Sequence, residues 1–135
     1  HIPLEDPKAT AKAGAAIGVG CFVKYNAAAT KVEICDGPDK HCCGVAAEAA
    51  SADGDGIRIF ALDQYARVQT AQQLVSSNGI TECRLTADAN GKAVKAGNNQ
   101  TILAVWCPKP GETAEVNDFI TVQLVQSASK ILDDA

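Results

Sequence analysis

The sequence predicts an all-β protein: a small, pseudo-duplicated β-barrel preceded by an extended N-terminal arm. Three observations predict it. The second half of the chain restates the first half signal by signal. Short apolar or alternating runs recur along the chain, separated by Gly, Asn, Asp and Pro turn signals. Aromatic residues make up only 4% of 135 residues while Ala and Val abound, which suits the thin core of a small barrel or sandwich.

Residues 1–16 differ from the rest. They hold Pro3, Pro7, mixed charge and an Ala/Lys stretch without strand periodicity, so they read as an arm. Ile2 and Leu4 face the same side if that arm is extended, and they are its apolar anchors. His1 in place of methionine points to a processed or partial N-terminus. Strand-like runs then follow at 21–25, 31–35, 43–47, 57–62, 65–70, 80–86, 92–95, 101–107 and 119–125. Asn90-Gly91 is the cleanest hairpin signal, of the kind that suits a type I′ turn. The Gln-rich centre of 68–76 fits one helical turn. Residues 126–135 are a polar tail, leaving 17–125 as the barrel domain.

The repeat aligns Cys21-Phe22-Val23-Lys24-Tyr25 with Ile80-Thr81-Glu82-Cys83-Arg84-Leu85. It also aligns an Ala/Asp/Asn turn ending at Lys31 with one ending at Lys92. The offset is 60 at Val23/Cys83, 60 at Val45/Val105 and 63 at Ile57/Ile120. Two copies are too few for a solenoid, so the duplication implies one pseudo-symmetric domain.

Composition excludes several functions. Net charge is −4, and the 12 Lys and Arg are scattered, so no electrostatic footprint for nucleic acid exists. No apolar run approaches the ~20 residues of a helical membrane span. A chain of this length buries roughly two thirds of its extended surface and needs no metal to fold.

Six cysteines stand at 21, 35, 42, 43, 83 and 107. They are either small buried hydrophobes or disulfide partners. Cys83 and Cys107 are 24 residues apart with a hairpin signal between them, and a bridge there would contribute roughly 3 kcal/mol in the loop-entropy account. Cys21 with Cys43, and Cys35 with Cys42, are the further candidate pairs. Cys35, His41, Cys42 and Cys43 offer soft ligands, but adjacent Cys42 and Cys43 point to opposite faces of a strand, so no metal site is expected. The same alternation separates His41 from Cys42 as a nucleophile pair. A copper chelate through His1 would need a second histidine, and only His41 exists. Asp53-Gly54-Asp55-Gly56 lacks the further acidic positions of a calcium loop and reads as a solvated turn. Asn99-Gln100-Thr101 is formally a glycosylation sequon. No nucleophile triad, phosphate loop or paired carboxylates mark a scaffold, so no enzyme activity and no cofactor are expected.

The order of segments resembles the capsid decoration (cement) proteins of tailed bacteriophages. The resemblance rests on Ala66-Arg67-Val68-Gln69-Thr70 and Asn78-Gly79-Ile80. It continues through Leu85-Thr86-Ala87-Asp88-Ala89-Asn90-Gly91-Lys92-Ala93-Val94, then Ile102-Leu103-Ala104-Val105 and a final Val122-Gln123-Leu124. Gly20-Cys21-Phe22-Val23-Lys24 and Cys43-Gly44-Val45-Ala46 match more weakly, so residues 17–125 are covered; the cysteines depart from the family's usual composition. What the resemblance implies is a tulip-type β-barrel, assembled in the host cytoplasm as a homotrimer. It would sit on the outer capsid surface and bridge subunits of the major capsid protein, with Ile2 and Leu4 in a docking arm. The alternative is a secreted, disulfide-bonded β module for adhesion or carbohydrate binding. Trp106, Tyr25 and Tyr65 all fall in predicted strands, where packing is their expected role.

Overall fold

The computed structural model of the chain describes residues 7, 9–37, 42–61, 64–75, 83–97, 100–107 and 112–125. Among them there are twelve strands and no helix. The first half supplies β1 (Ala9–Lys12), β2 (Phe22–Tyr25), β3 (Val32–Ile34), β4 (Gly44–Ala46) and β5 (Gly56–Ala61). They form one antiparallel sheet in the order β1-β5-β4-β2-β3. The second half supplies β6 (Tyr65–Gln69), β7 (Leu74–Val75), β8 (Cys83–Ala87), β9 (Ala93–Lys95), β10 (Ala104–Trp106), β11 (Thr113–Ala114) and β12 (Phe119–Leu124). Its main sheet runs β6-β12-β10-β8-β9, and β7 pairs with β11 apart from it.

The two orders are one connectivity used twice: β6 stands for β1, β12 for β5, β10 for β4, β8 for β2 and β9 for β3. Each sheet curls until its two edges touch at one parallel bridge, Ala13–Val32 in the first half and Thr70–Ala93 in the second. Gly14 N–H donates to Val32 C=O at 2.7 Å, and Ala71 N–H donates to Ala93 C=O at 2.9 Å. The β7–β11 pair joins Leu74 to Ala114; the first half has the single bridge Ile17–Ala50 in its place.

Register refines the repeat. The offsets at Val45/Val105 and Ile57/Ile120 stand. Phe22 faces Val45 while Arg84 faces Val105, so Val23 corresponds to Leu85 and not to Cys83. The two-residue slip keeps every side chain on its face, which is why a period-two pattern could not detect it. Val23 and Leu85 are both fully buried.

The nine expected strands are found where residues are described, with no end moved by more than three positions. Ala9–Lys12, expected within an arm, form β1 instead. Small alanines face inward there and Thr10 and Lys12 face outward, a contrast too faint to read as strand periodicity. Its register with β5 (Ala9↔Ile59 to Lys12↔Gly56) is what holds it. Residues 68–75 are strand, bend and strand, with no helical turn. Ile2, Leu4, His1 and His41 lie outside the described residues, as does the 126–135 tail.

The core has two parts. The inner face of the first sheet contributes Val23, Val32, Ala46, Ile57 and Ile59, capped by Ala13, Ile17, Cys21 and Ala50. The second sheet contributes Ala66, Val68, Leu85, Ala87, Ala104, Trp106, Ile120, Val122 and Leu124 to the other cluster, which also takes in Phe22, Val45 and Phe60. Those three form one cross-strand row on the opposite face of the first sheet. The first sheet is therefore buried on both sides, and its consecutive apolar pairs (Phe22-Val23, Val45-Ala46, Ile59-Phe60) follow from that.

Candidate functional site

Turn chemistry repeats with the strands. Asn26 Oδ1 accepts from the Lys31 N–H, and Asp88 Oδ1 accepts from the Lys92 N–H. Each lysine then reaches a second turn: Lys31 Nζ donates to Asp53 Oδ1 at 2.7 Å, and Lys92 Nζ donates to Asn117 Oδ1 at 3.1 Å. The 88–92 hairpin differs from the expected type I′ form. Gly91 alone is left-handed (φ 77°), Gly91 N–H donates to Asp88 C=O, and Asp88 N–H donates to Lys92 C=O. That is the three-residue loop with a left-handed closing residue, chosen because Asp88 accepts from the Asn90 and Lys92 N–H groups at once.

The same hairpin joins the halves. Phe22 N–H donates to Gly91 C=O at 2.8 Å, and a Cβ on Gly91 would lie 2.6 Å from Ile34 Cγ2. Nearby, Gln69 N–H donates to Gly20 C=O at 3.0 Å, so the edge of β6 is docked by backbone from the first half. Phe119 lies over Gly20, and both it and Val19 remain about two-fifths exposed (40% and 43%). Val75, Val116 and Tyr25 are the other exposed large apolar side chains among the described residues. Tyr25 therefore does not take the packing role expected of it, because it ends β2 at the exposed side of the strand; Trp106 is buried.

The cysteines separate by cluster. Cys35 and Cys42 belong to the larger core cluster, while Cys21 and Cys43 belong to the first sheet's inner face. Cys21, Cys35, Cys42, Cys43 and Cys107 all stand as thiols. Burial pushes the Cys35 and Cys43 thiols up to about 11. It pushes Cys42 up to about 12, reinforced by its neighbours Cys35 and Cys43. Cys21 is raised by burial too. Thiols so raised are poor nucleophiles at neutral pH. The backbone of Cys83 in β8 lies opposite Trp106, the last residue of β10, and the exposed Cys107 follows one position beyond, so the two are not directly across from each other. Among the described residues no group of three or more His, Cys, Asp or Glu could hold a metal ion.

One surface feature beside β1 was not legible in the sequence. A shallow depression of about 450 Å³ is lined by Thr10, Ala11, Lys12, Glu48, Gly56, Ile57 and Arg58 along edge strand β1. Glu48 Oε2 accepts from the Arg58 N–H at 2.9 Å and lies 3.5 Å from Arg58 Nε. That backbone bond, above all, holds the Glu48 carboxyl below its ordinary range. No signal in the sequence marked these residues, because their grouping depends on β1 joining the sheet.

No protein-family model and no curated protein matches the sequence. Among solved structures the chain is similar to the head fiber gp8.5 N base of bacteriophage phi29. Identity is 19%, the match covers 91% of this chain and 95% of that one, and the TM-score is 0.63. A likeness at this identity shows a shared fold.

Proposed function

We propose that this chain is a structural protein of a bacteriophage virion, a decoration protein that binds the outer capsid surface and stabilises contacts between major capsid protein subunits. The observation that carries the reading is the fold likeness to a phage head fiber base over nearly the whole of both chains. The order of sequence segments in 66–124 points the same way independently. The mechanism is cementing: a protein that binds a closed junction of subunits, and not the separated pieces, stabilises the closed shell by mass action. A homotrimer would multiply the contacts through effective concentration, and the segment before β1, with Ile2 and Leu4, would supply apolar anchors.

The test uses particles of the virus that encodes the chain. Mass spectrometry of purified virions should find the protein in stoichiometric amounts. Purified protein added to capsids lacking it should co-sediment and raise their resistance to heat. Absence from virions together with no binding to capsids would overturn the reading. Sedimentation equilibrium checks the trimer separately.

A further inference from the structure

The same end of the two halves is covered in one and open in the other. The row Phe22, Val45 and Phe60, on the outer face of the first sheet, shares a cluster with Ala66, Leu103 and Leu124 of the second half. It therefore lies across one end of the second sheet's interior, and Ala66, Leu103 and Leu124 are fully buried beneath it. Register and hydrogen bonds identify their counterparts in the first half. Cys43 N–H donates to Val23 C=O as Leu103 N–H donates to Leu85 C=O. Ala61 faces Gly44 as Leu124 faces Ala104, and Ala9 faces Ile59 as Ala66 faces Val122. Ala9, Ala61 and Cys43 stand on or beside three adjacent strands, β1, β5 and β4, and all three are only partly buried. They form a rim with nothing over it that matches the Phe22 row. The rim is also emptier, since Cys43 and Ala61 stand where the second half has two leucines.

We infer that residues 1–6 of the same chain fold back over this rim, and that Ile2 and Leu4 take the space which the second half gives to Leu103 and Leu124. The inference concerns a contact within the chain, so it goes beyond the proposed function and does not depend on it. The segment ends where the rim begins. Pro7, itself partly buried, stands two residues before Ala9, and proline has no N–H with which to extend the β1–β5 ladder. Six residues reach about 20 Å, whereas β4 lies about 10 Å from β1 at the usual strand spacing. The chemistry agrees as well. The rim presents alanine and cysteine side chains, and the segment carries two aliphatic side chains that share one side when extended.

A second copy stacked head to tail is the poorer cover. The face it would present is the row Tyr65, Gln123, Val105 and Arg84, where the first sheet has Phe60, Val45 and Phe22. That contact would press a guanidinium and an amide against aliphatic side chains, at a desolvation cost the rim cannot offset.

The experiment is limited trypsin digestion of the full-length protein, read by mass spectrometry at Lys8, together with alkylation of Cys43 by iodoacetamide at pH 9. A docked segment protects both positions. Ile2→Ser with Leu4→Ser, two changes that precede β1, should speed both reactions about tenfold, because each then follows a larger population with the segment released. Ala61→Leu gives the rim the second half's residue and should also release the segment, so cleavage at Lys8 should speed up alike. Alkylation of the exposed Cys107 should stay the same throughout, and one cooperative melting transition should show that each variant folds. Equal rates in the unmodified chain and the Ile2/Leu4 variant would overturn the proposal. Faster cleavage at Lys8 without faster alkylation of Cys43 would also overturn it, because the segment would then sit elsewhere, and so would protection that Ala61→Leu leaves intact. Protection lost on dilution would overturn it in favour of the segment of a neighbouring copy. No capsid enters the measurement, so none of these results bears on the proposed function.

Discussion

Asn117 occupies the left-handed conformation (φ 67°) at the position where the first half has Gly54 (φ 92°). The N–H of each residue donates to the start of the same repeat unit, Asn117 to Thr70 C=O and Gly54 to Ala13 C=O. Asn is among the few side chains that enter this region readily. Here its Oδ1 also accepts from Lys92. Asn117→Gly should therefore change stability by only a few tenths of a kcal/mol, whereas Asn117→Val should cost about 1–2 kcal/mol. Urea denaturation of the two variants checks the difference.

Gly91 is the point where a side chain would separate the halves. A Cβ there meets Ile34 Cγ2 at 2.6 Å and Phe22 C=O at 3.1 Å, in a backbone already at positive φ. Gly91→Ala should cost about 2–3 kcal/mol, combining left-handed strain with a displaced neighbour. Hydrogen exchange should show the loss first at the Phe22 N–H, which donates to Gly91 C=O.

Much of this fold was legible in the sequence, and the reasons are particular. Ile57-Arg58-Ile59 and Ile120-Thr121-Val122 alternate strongly because one face of each strand is buried, so strand and repeat could both be read. Lys31 and Lys92 marked equivalent turns because each lysine has a partner to reach. β1 was not legible: Ala-Thr-Ala-Lys has little hydrophobic contrast, and its place depends on β5, more than forty residues away. The depression beside it went unseen as well. Tyr25 misled for a related reason, since a strand's last residue need not be covered.

The buried thiols make stability fall at high pH. Cys35, Cys42 and Cys43 are held protonated by burial, with folded values of about 11, 12 and 11 against an ordinary 9.0. A raised folded value means the unfolded chain loses these protons first. The contribution is complete below pH 9 and is lost as pH rises through about 11–12. Unfolding midpoints of the chain should drop more steeply above pH 9 than those of a variant with all three changed to Ala. Parallel slopes would contradict the assignment. At pH 7.5, among these four residues, only exposed Cys107 should react quickly with an alkylating reagent.

Thr101 is fully buried and, among the described residues, its hydroxyl has no hydrogen-bond partner. A buried, unsatisfied hydroxyl carries a desolvation cost of about 1–3 kcal/mol. Thr101→Val keeps the shape and removes that cost, so the variant should be about 1 kcal/mol more stable. Equal or lower stability would mean that the hydroxyl is satisfied by water in solution.

The two halves differ most on the face that decides how many units stack. Phe22, Val45 and Phe60 form a buried row on the first sheet. The equivalent row on the second is Arg84, Val105 and Gln123, with Arg84 and Gln123 exposed. An apolar row needs a covering layer and a polar row ends the stack, in the way terminal units of repeat proteins do. Exchanging residues between the rows should therefore have unequal effects. Phe60→Gln places an amide in the shared cluster and should cost about 3–5 kcal/mol, near the penalty of a large-to-small core change. Gln123→Phe adds apolar surface to an open face and should leave stability within about 0.5 kcal/mol. Its visible effect should be association at high concentration, read by light scattering. Equal destabilisation by the two changes would show that both faces are covered, and the polar row would then have to be an interface of its own.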